Sequence, residues 1–521
     1  MTEAQVPEIL KTLPSRICDV VTPWAQQMPD HPALIETGGT WTYAQLAAAI
    51  EHTKTWLVQS GVRPGDRVLL VCENCRAYVA VLLAVASLDA WPVLVNARLS
   101  PQEIDQIRDH CGARRVIYTV SASPHAMKHA KRHNAQIQEF LAAGSVAIGE
   151  LNDDVVPESI EEDTSRNVGA LIYTSGTTGL PKGVMLSHRN ILFMAAISAW
   201  VRSVIAEDRL LGVLPMSHAV GLSVVLLGSL IRGATVYLSS RFDPVSVLSL
   251  LENAPLTIVL GAPSMFALLL EYSKMKGLKS LQFPALRVIS SSGAPLQATV
   301  KAEVENLFGM VLHNGYGVTE CSPTIALTRI ESPRTDLSVG KIFPGIELRL
   351  VGVDGAAVGE GEVGELRVKG PNVMKGYYHA PEETAAAIDA DGWFNTRDLA
   401  RLEDKNLFIV GRTKELIVRF GFNVYPAEVE GVLNSHPGVV RSAVIGRSIA
   451  SEGGEEVIAF IELSAGSTHS SEEVAEYAAA HLAAYKRPSE IVIVPSMPLT
   501  PTGKVLKDQL AKSLENKPKA S

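Results

Sequence analysis

Tyr173-Thr174-Ser175-Gly176-Thr177-Thr178-Gly179-Leu180-Pro181-Lys182-Gly183 places four Ser/Thr hydroxyls, three glycines and one lysine in eleven residues. Glycine lets a backbone turn so that several N–H groups converge on an anion. The hydroxyls add donors for phosphate oxygens, and Lys182 adds a point charge. The apolar run Ala170–Tyr173 leads directly into this stretch, which places it after a strand. In open α/β sheets, ligands bind outside the carboxyl ends of strands. The spacing is not that of the common P-loop, which requires Gly-Lys-Ser/Thr. Here Pro181 precedes Lys182 and Gly183 follows it.

The same texture recurs further along. Leu210–Leu214 leads into Pro215-Met216-Ser217-His218, Thr257–Leu260 into Gly261-Ala262-Pro263-Ser264, Leu286–Ile289 into Ser290–Gly293, and Met310–Leu312 into His313–Gly317. Five strand-end loops of this kind predict one shared site. Upstream, Val68–Cys72, Val93–Val95 and Val116–Thr119 read as buried strands, with helices over Tyr78–Leu88 and Ile104–His110. After Glu320 short strands alternate with turns (Leu348–Val351, Gly364–Val368, Leu407–Val410), predicting a β-rich subdomain over about 321–413. Arg412–Glu415 is a charged junction. Beyond it, strands at Ala443–Ile445 and Glu456–Ile461 and helices from Pro426 and over Ser470–Leu482 predict a small α+β module, and the polar tail Ala511–Ser521 reads as frayed. The expected class is therefore α/β: a large N-terminal body of sheets and helices, residues 1–413, and a small mobile α+β C-terminal domain, 414–521.

Composition bounds the function. The 521 residues correspond to about three or four domains' worth of chain. A net charge of −8 argues against general nucleic-acid binding, which needs a basic face. Five scattered cysteines suit a reducing compartment. Cys72-Glu73-Asn74-Cys75 has redox-pair spacing, but two packed thiols are the favoured reading. The start Met1-Thr2-Glu3-Ala4 does not read as a signal peptide. The most apolar run, Tyr78–Val95, is broken by Asp89 and Pro92, so no transmembrane segment is expected and a cytoplasmic location is.

Four more motifs follow in order: Tyr316-Gly317-Val318-Thr319-Glu320, Trp393-Phe394-Asn395-Thr396-Arg397-Asp398, Gly411-Arg412-Thr413-Lys414-Glu415 and Pro501-Thr502-Gly503-Lys504. Together with the loop, this set resembles the acyl-adenylate-forming enzymes, which include acyl-CoA synthetases, firefly luciferase and the adenylation domains of nonribosomal peptide synthetases. The resemblance runs from about Trp41-Thr42-Tyr43 to Lys504. It implies that Thr174, Ser175, Gly176, Thr177, Thr178, Gly179 and Lys182 meet the β- and γ-phosphates of ATP. Tyr316 would stack on adenine, Thr319 contact the α-phosphate and Glu320 help hold Mg²⁺. Asp398 would bind the ribose hydroxyls, a role that suits a two-oxygen acceptor, with Arg412 near the ribose. Lys414 would be the hinge and Lys504 the adenylation lysine, and after rotation Gly421 and Phe422 would serve the thioester step. His218 would lie near the acid carboxylate. Ala219, Val220, Gly221, Ser292, Gly293, Ala294 and Gly315 are small or apolar and would leave room for the acyl or aryl group.

The activity implied is that of an AMP-forming carboxylic acid:CoA ligase for a fatty or aromatic acid, with ATP, Mg²⁺ and coenzyme A. A homodimer is left open. The alternatives are an adenylating enzyme that loads a separate carrier protein, and a non-enzymatic ATP/AMP-binding regulator. Lys182, Glu320, Asp398 and Lys504 argue against the regulator. Two signals are set aside. His125, His129 and His133 have helical spacing but sit among Lys128, Lys131 and Arg132, so they read as a solvated basic face. Asp153-Asp154 and Glu161-Glu162-Asp163 read as a solvated linker.

Overall fold

The computed structural model describes residues 5–174, 181–419, 422–448, 455–464, 466–499 and 503–515. Two large sheets form the body. The first has nine strands in the order Lys341–Ile342, Thr324–Leu327, Leu312–Gly317, Val288–Ser291, Ile258–Gly261, Arg209–Gly212, Thr235–Leu238, Pro32–Glu36, Gly39–Thr42. The six from Leu312–Gly317 to Pro32–Glu36 run parallel. The second has eight strands: Gly376–Tyr377, Lys182–Ser187, Val168–Thr174, Trp91–Asn96, Arg67–Cys72, Arg115–Tyr118, Ser145–Ile148, Gln136–Glu139. The α/β reading and the upstream strands and helices therefore hold.

The apolar run that begins at Tyr78 is the most deeply buried helix of the body. In Arg76–Ser87 every residue from Arg76 to Ala86 is buried. Continuous apolar sequence here reflects burial on all sides, not a bilayer. No helix among the described residues is long and apolar enough to cross a membrane.

The sequence reading departs from the structure in several places. Leu286–Ile289 and Met310–Leu312 end too early, because the strands run Val288–Ser291 and Leu312–Gly317. Ser290 pairs with His313 and Ser291 with Asn314, and backbone pairing continues through polar residues that an apolar-run criterion excludes. The five loops also divide between two sheets: Val168–Thr174 belongs to the second, the other four strands to the first. The stretch after Glu320 divides as well. Thr324–Leu327 and Lys341–Ile342 complete the nine-stranded sheet, and Gly376–Tyr377 joins the other. A separate four-stranded antiparallel sheet is built from Glu347–Val351, Gly364–Lys369, Phe394–Glu403 and Asn406–Arg412. Ala511–Glu515 of the supposed tail belongs to the helix Lys507–Glu515; residues 516–521 lie outside the described residues.

Beyond residue 415 a three-stranded sheet (Val439–Ser448, Glu455–Leu463, Glu490–Val494) has an apolar side on each face. Val444, Val457, Ala459 and Ile461 pack under the helices Pro426–Leu433 and Ser471–His481. Ala443, Ile445, Ile458 and Phe460 pack with Leu510 of Lys507–Glu515. The alternation is the two-residue period of a strand buried on both sides.

All five cysteines are free thiols and buried, so packed thiols is the correct reading. The histidine stripe is not a uniformly solvated face. His125 is exposed, but His129 is buried with its ring bonded to the Ala97 carbonyl. His133 caps the helix and meets Asp105 and Tyr118.

Candidate active site

Strand Leu312–Gly317 delivers Tyr316, and the tight turn Thr319–Cys321 follows it. A Cβ at Gly317 would lie 2.1 Å from the Pro323 carbonyl oxygen, so only glycine allows this fold-back. Asp398, 3 % exposed, sits in strand Phe394–Glu403. The Tyr316 hydroxyl donates to Asp398 Oδ2 at 2.5 Å, and Arg412 Nε donates to Oδ1 at 2.8 Å. Tyr316, 82 residues away, thus meets Asp398 and its paired-strand neighbour Arg412 on one carboxylate. Burial, reinforced by Asp398, pushes the Tyr316 phenol well above its ordinary range, so it stays a donor. Burial alone would lower Arg412, but Asp398 and Glu415 outweigh it and hold the guanidinium charged.

A second group forms around Glu320. Tyr377 donates to Glu320 Oε1 at 2.9 Å, and Lys182 Nζ lies 5.3 Å from the centre of the Tyr377 ring. Lys182 is fixed by antiparallel pairing with Thr174. The residues between them that the sequence reading assigned to phosphate, Ser175, Gly176, Thr177, Thr178 and Gly179, lie outside the described residues, as does Gly421. Tyr377 carries no motif signature; only the pairing of Gly376–Tyr377 with Val184 and Met185 brings it here. Among the described residues no cluster of three or more His, Cys, Asp or Glu forms a metal cage. A single carboxylate, Glu320, bonded to the tyrosine over which Lys182 lies, nevertheless fits Mg²⁺, which is commonly held by one or two carboxylates plus substrate phosphates.

His218 follows strand Arg209–Gly212 in a loop pinned by a side chain inside the Cys-x-x-Cys spacing. Asn74 Nδ2 donates to the carbonyls of Gly212 and Leu214, and Asn74 Oδ1 accepts from Met216 N–H, each at 2.9 Å. The Tyr78 hydroxyl donates to the Met216 carbonyl at 2.9 Å. Burial lowers His218 below its ordinary range, favouring the neutral imidazole. Val220–Leu227 continues as a wide π-type helix, a form concentrated at functional sites. Gly221 and Gly315 are small for reasons internal to the fold. A Cβ at Gly221 would lie 2.2 Å from the Pro215 carbonyl oxygen, and one at Gly315 would lie 2.9 Å from Leu327 Cδ1. A Cβ at Gly293 would meet nothing within 4 Å. Open space is therefore found at Gly293 and not at all three glycines.

From the C-terminal side, Lys504 comes within electrostatic range of Arg412, Glu415 and Asp398. Burial and then Arg412 push its ammonium below the usual lysine range, with Glu415 and Asp398 opposing. A Cβ at Gly503 would lie 2.3 Å from Ser264 Oγ in the helix Pro263–Met275, so the lysine segment is seated against the body. Lys414 is exposed in the short turn Thr413–Glu415. Phe422 is 56 % exposed and stacks on Tyr485 at 4.8 Å between ring centres.

Two polar groups, one around Asp398 and one around Glu320, thus stand on strands and turns of the body, with Lys504 approaching from the C-terminal side. Residues 21–378 match the AMP-binding enzyme family and residues 428–504 match the AMP-binding enzyme C-terminal domain. The chain belongs to the AMP-binding enzyme family, on its acyl-CoA synthetase-like side. It is 35% identical over 493 residues to a feruloyl-CoA synthase of Amycolatopsis sp, covering 93% of this chain and 96% of that protein. Among solved structures, O-succinylbenzoate coenzyme A synthetase of Bacillus subtilis with ATP and magnesium ion is 30% identical, with a TM-score of 0.80 over 95% of this chain and 99% of that one. MatB of Rhodopseudomonas palustris is 28% identical with ATP bound and covers 96% of this chain and 99% of its own, with a TM-score of 0.82. Apo MatB, at 27% and the same coverage, has a TM-score of 0.72. The arrangement described here is thus nearer the ATP-bound form.

Proposed function

We propose that this AMP-forming acid:CoA ligase activates an aromatic acid, and that the residues grouped around Asp398, Glu320 and His218 perform the activation. The single observation that carries the site is the convergence of Tyr316 and Arg412 on Asp398, and Lys504 is in electrostatic range of that carboxylate. The aromatic preference is supported by similarity to the feruloyl-CoA and O-succinylbenzoate-CoA synthetases. Relatives named as CoA-ester-forming enzymes favour CoA over a carrier protein as acceptor.

A carboxylate is a weak nucleophile, and the hydroxide that a thiol would have to displace from the acid is a poor leaving group. Attack of a carboxylate oxygen on the α-phosphorus of ATP forms acyl-AMP as the bond to the β-phosphate breaks and pyrophosphate leaves; the thiol can then displace AMP, a good leaving group. The difficulty is bringing two anions together, so positioning and electrostatics supply the catalysis. Asp398 orients the ribose, and Tyr316 supplies an apolar face to adenine while its hydroxyl fixes Asp398. Lys182 and Thr174, with the five loop residues Ser175 to Gly179, face the β- and γ-phosphates, and Thr319 faces the α-phosphate. Lys504 offsets the charge that develops between acid and phosphate. Mg²⁺, held by Glu320 and the phosphates, would add further charge neutralisation. His218, Ala219, Val220, Gly221, Ser292, Gly293, Ala294 and Gly315 line the acid pocket. The covalent path from Lys504 back to the body passes through Lys414, so we place the domain boundary there, with 1–413 as body and 414–521 as lid. Rotation at Lys414 then withdraws Lys504 and brings Phe422 and Gly421 to the site for attack by the CoA thiol. The reading carries a cytoplasmic location and leaves a homodimer to be tested by sedimentation.

A panel of benzoic, phenylpropenoic and fatty acids, each with ATP, Mg²⁺ and CoA, tests the assignment through AMP release and CoA-thioester formation. Phenylpropenoic or benzoic acids are expected to give the highest kcat/KM. A preference for fatty acids would overturn the aromatic reading, and AMP release without CoA thioester would overturn the acceptor.

A further inference from the structure

Lys504 lies in a segment whose anchoring is unusual. Leu499 and Val505 form an antiparallel bridge, and Leu506 N–H donates to the Pro498 carbonyl at 2.8 Å. Three residues beyond Lys504, Lys507 opens the helix Lys507–Glu515. Its ammonium sits between two carboxylates, 2.8 Å from Glu415 Oε2 and 2.8 Å from Glu430 Oε1. Glu430 Oε1 also accepts from Val444 N–H at 2.8 Å, so this carboxylate is tied into the lid core. Glu415 is different. It is the residue after Lys414, in the turn that leaves the body. One side chain thus joins the hinge, the lid core and the lysine segment.

We propose that Glu415, through its ion pair with Lys507, is a positioning residue for Lys504: it locks the lysine segment to the residue next to the hinge. Rotation at Lys414 then carries Lys504 into and out of the site as one piece. An exposed ion pair is weak. This one is a partly buried three-group network, where removing one partner leaves another charge uncompensated. Burial raises the Glu415 carboxyl, but Lys507, Arg412 and Lys504 outweigh it and keep it ionised. For Lys507 burial lowers the ammonium, while Glu430 and Glu415 outweigh it and keep it charged.

The inference rests on the proposed role of Lys504, so Lys504→Ala is measured in parallel. The test is Glu415→Gln in the full chain, which leaves the Lys507–Glu430 pair intact. Two half-reactions are read: acid-dependent ATP–pyrophosphate exchange, and thioester formation from supplied acyl-AMP and CoA. Exchange is expected to fall at least tenfold in kcat with little change in the KM for ATP or acid. Thioester formation is expected to stay within about threefold of the parent, and Glu415→Asp to restore part of the exchange. If Glu415→Gln does not fold, Lys507→Gln is read in the same way. Exchange within threefold of the parent, or an equal fall in both half-reactions, overturns the clamp while Lys504→Ala still abolishes exchange. If Lys504→Ala itself retains exchange, the reading of Lys504 fails and the clamp with it.

Discussion

Asp398→Asn is the most informative single change in the nucleotide group. Asparagine keeps the shape but removes the charge on which Tyr316 at 2.5 Å and Arg412 at 2.8 Å converge. One carboxamide oxygen can still accept from Arg412, while the NH₂ group must face the Tyr316 oxygen. Hydrogen bonds to charged groups contribute about 1.5–3 kcal/mol and neutral ones about 1 kcal/mol. Converting two of the former to the latter costs about 1–4 kcal/mol, with a midpoint of about 2.5 kcal/mol. Since each ~1.4 kcal/mol is tenfold, the midpoint corresponds to about a 60-fold loss. That loss should fall on kcat/KM for ATP, because in the proposed site Asp398 holds the ribose. ATP–pyrophosphate exchange is measured across a range of ATP at saturating acid, with the same acid titration as control. A change in kcat/KM for ATP below about threefold, or an equal loss in kcat/KM for acid, refutes the assignment.

Three further outcomes are expected. Asn74→Ala strips three bonds from buried backbone groups of the His218 loop and should lower stability by about 2–4 kcal/mol in denaturant titration, with a raised KM for acid. Gly221→Ala forces a methyl against the Pro215 carbonyl and should cost about 1–3 kcal/mol, read as a lower Tm and weaker use of acid. In the exchange reaction only protonated Lys504 carries the needed charge, and its pKa is lowered by burial and Arg412. Exchange should therefore fall on the alkaline side earlier than an ordinary lysine would dictate, and Lys504→Arg should move that limb to higher pH; an unmoved limb assigns it to another group.

The alternating strands and helices of the body were legible because a strand buried on both faces reads as an apolar run, as in Arg67–Cys72. Strand ends were not, since Ser290, Ser291, His313 and Asn314 pair through their backbones whatever their side chains. The sequence motifs marked Tyr316, Asp398, Arg412 and Lys504, whose meeting is a matter of three-dimensional packing. Tyr377, Asn74 and Lys507 carry no motif, because each acts on a residue distant in the chain, and the motif that holds Glu415 gives no sign of its pairing with Lys507. Asn74 stands inside a cysteine spacing that draws attention to the buried thiols instead, and Lys507 reads as any surface lysine until Glu415 and Glu430 are seen beside it.

The central claim is that one lysine on the lid serves the first half-reaction and not the second. Lys504→Ala, assayed separately for acyl-AMP formation and for thioester formation from supplied acyl-AMP, tests it most directly. The two-state site predicts that acyl-AMP formation falls by at least about two orders of magnitude, in keeping with the loss of a group aimed at developing charge. Thioester formation is predicted to stay within a few-fold of the parent. Equal loss of both half-reactions, or survival of both, contradicts it.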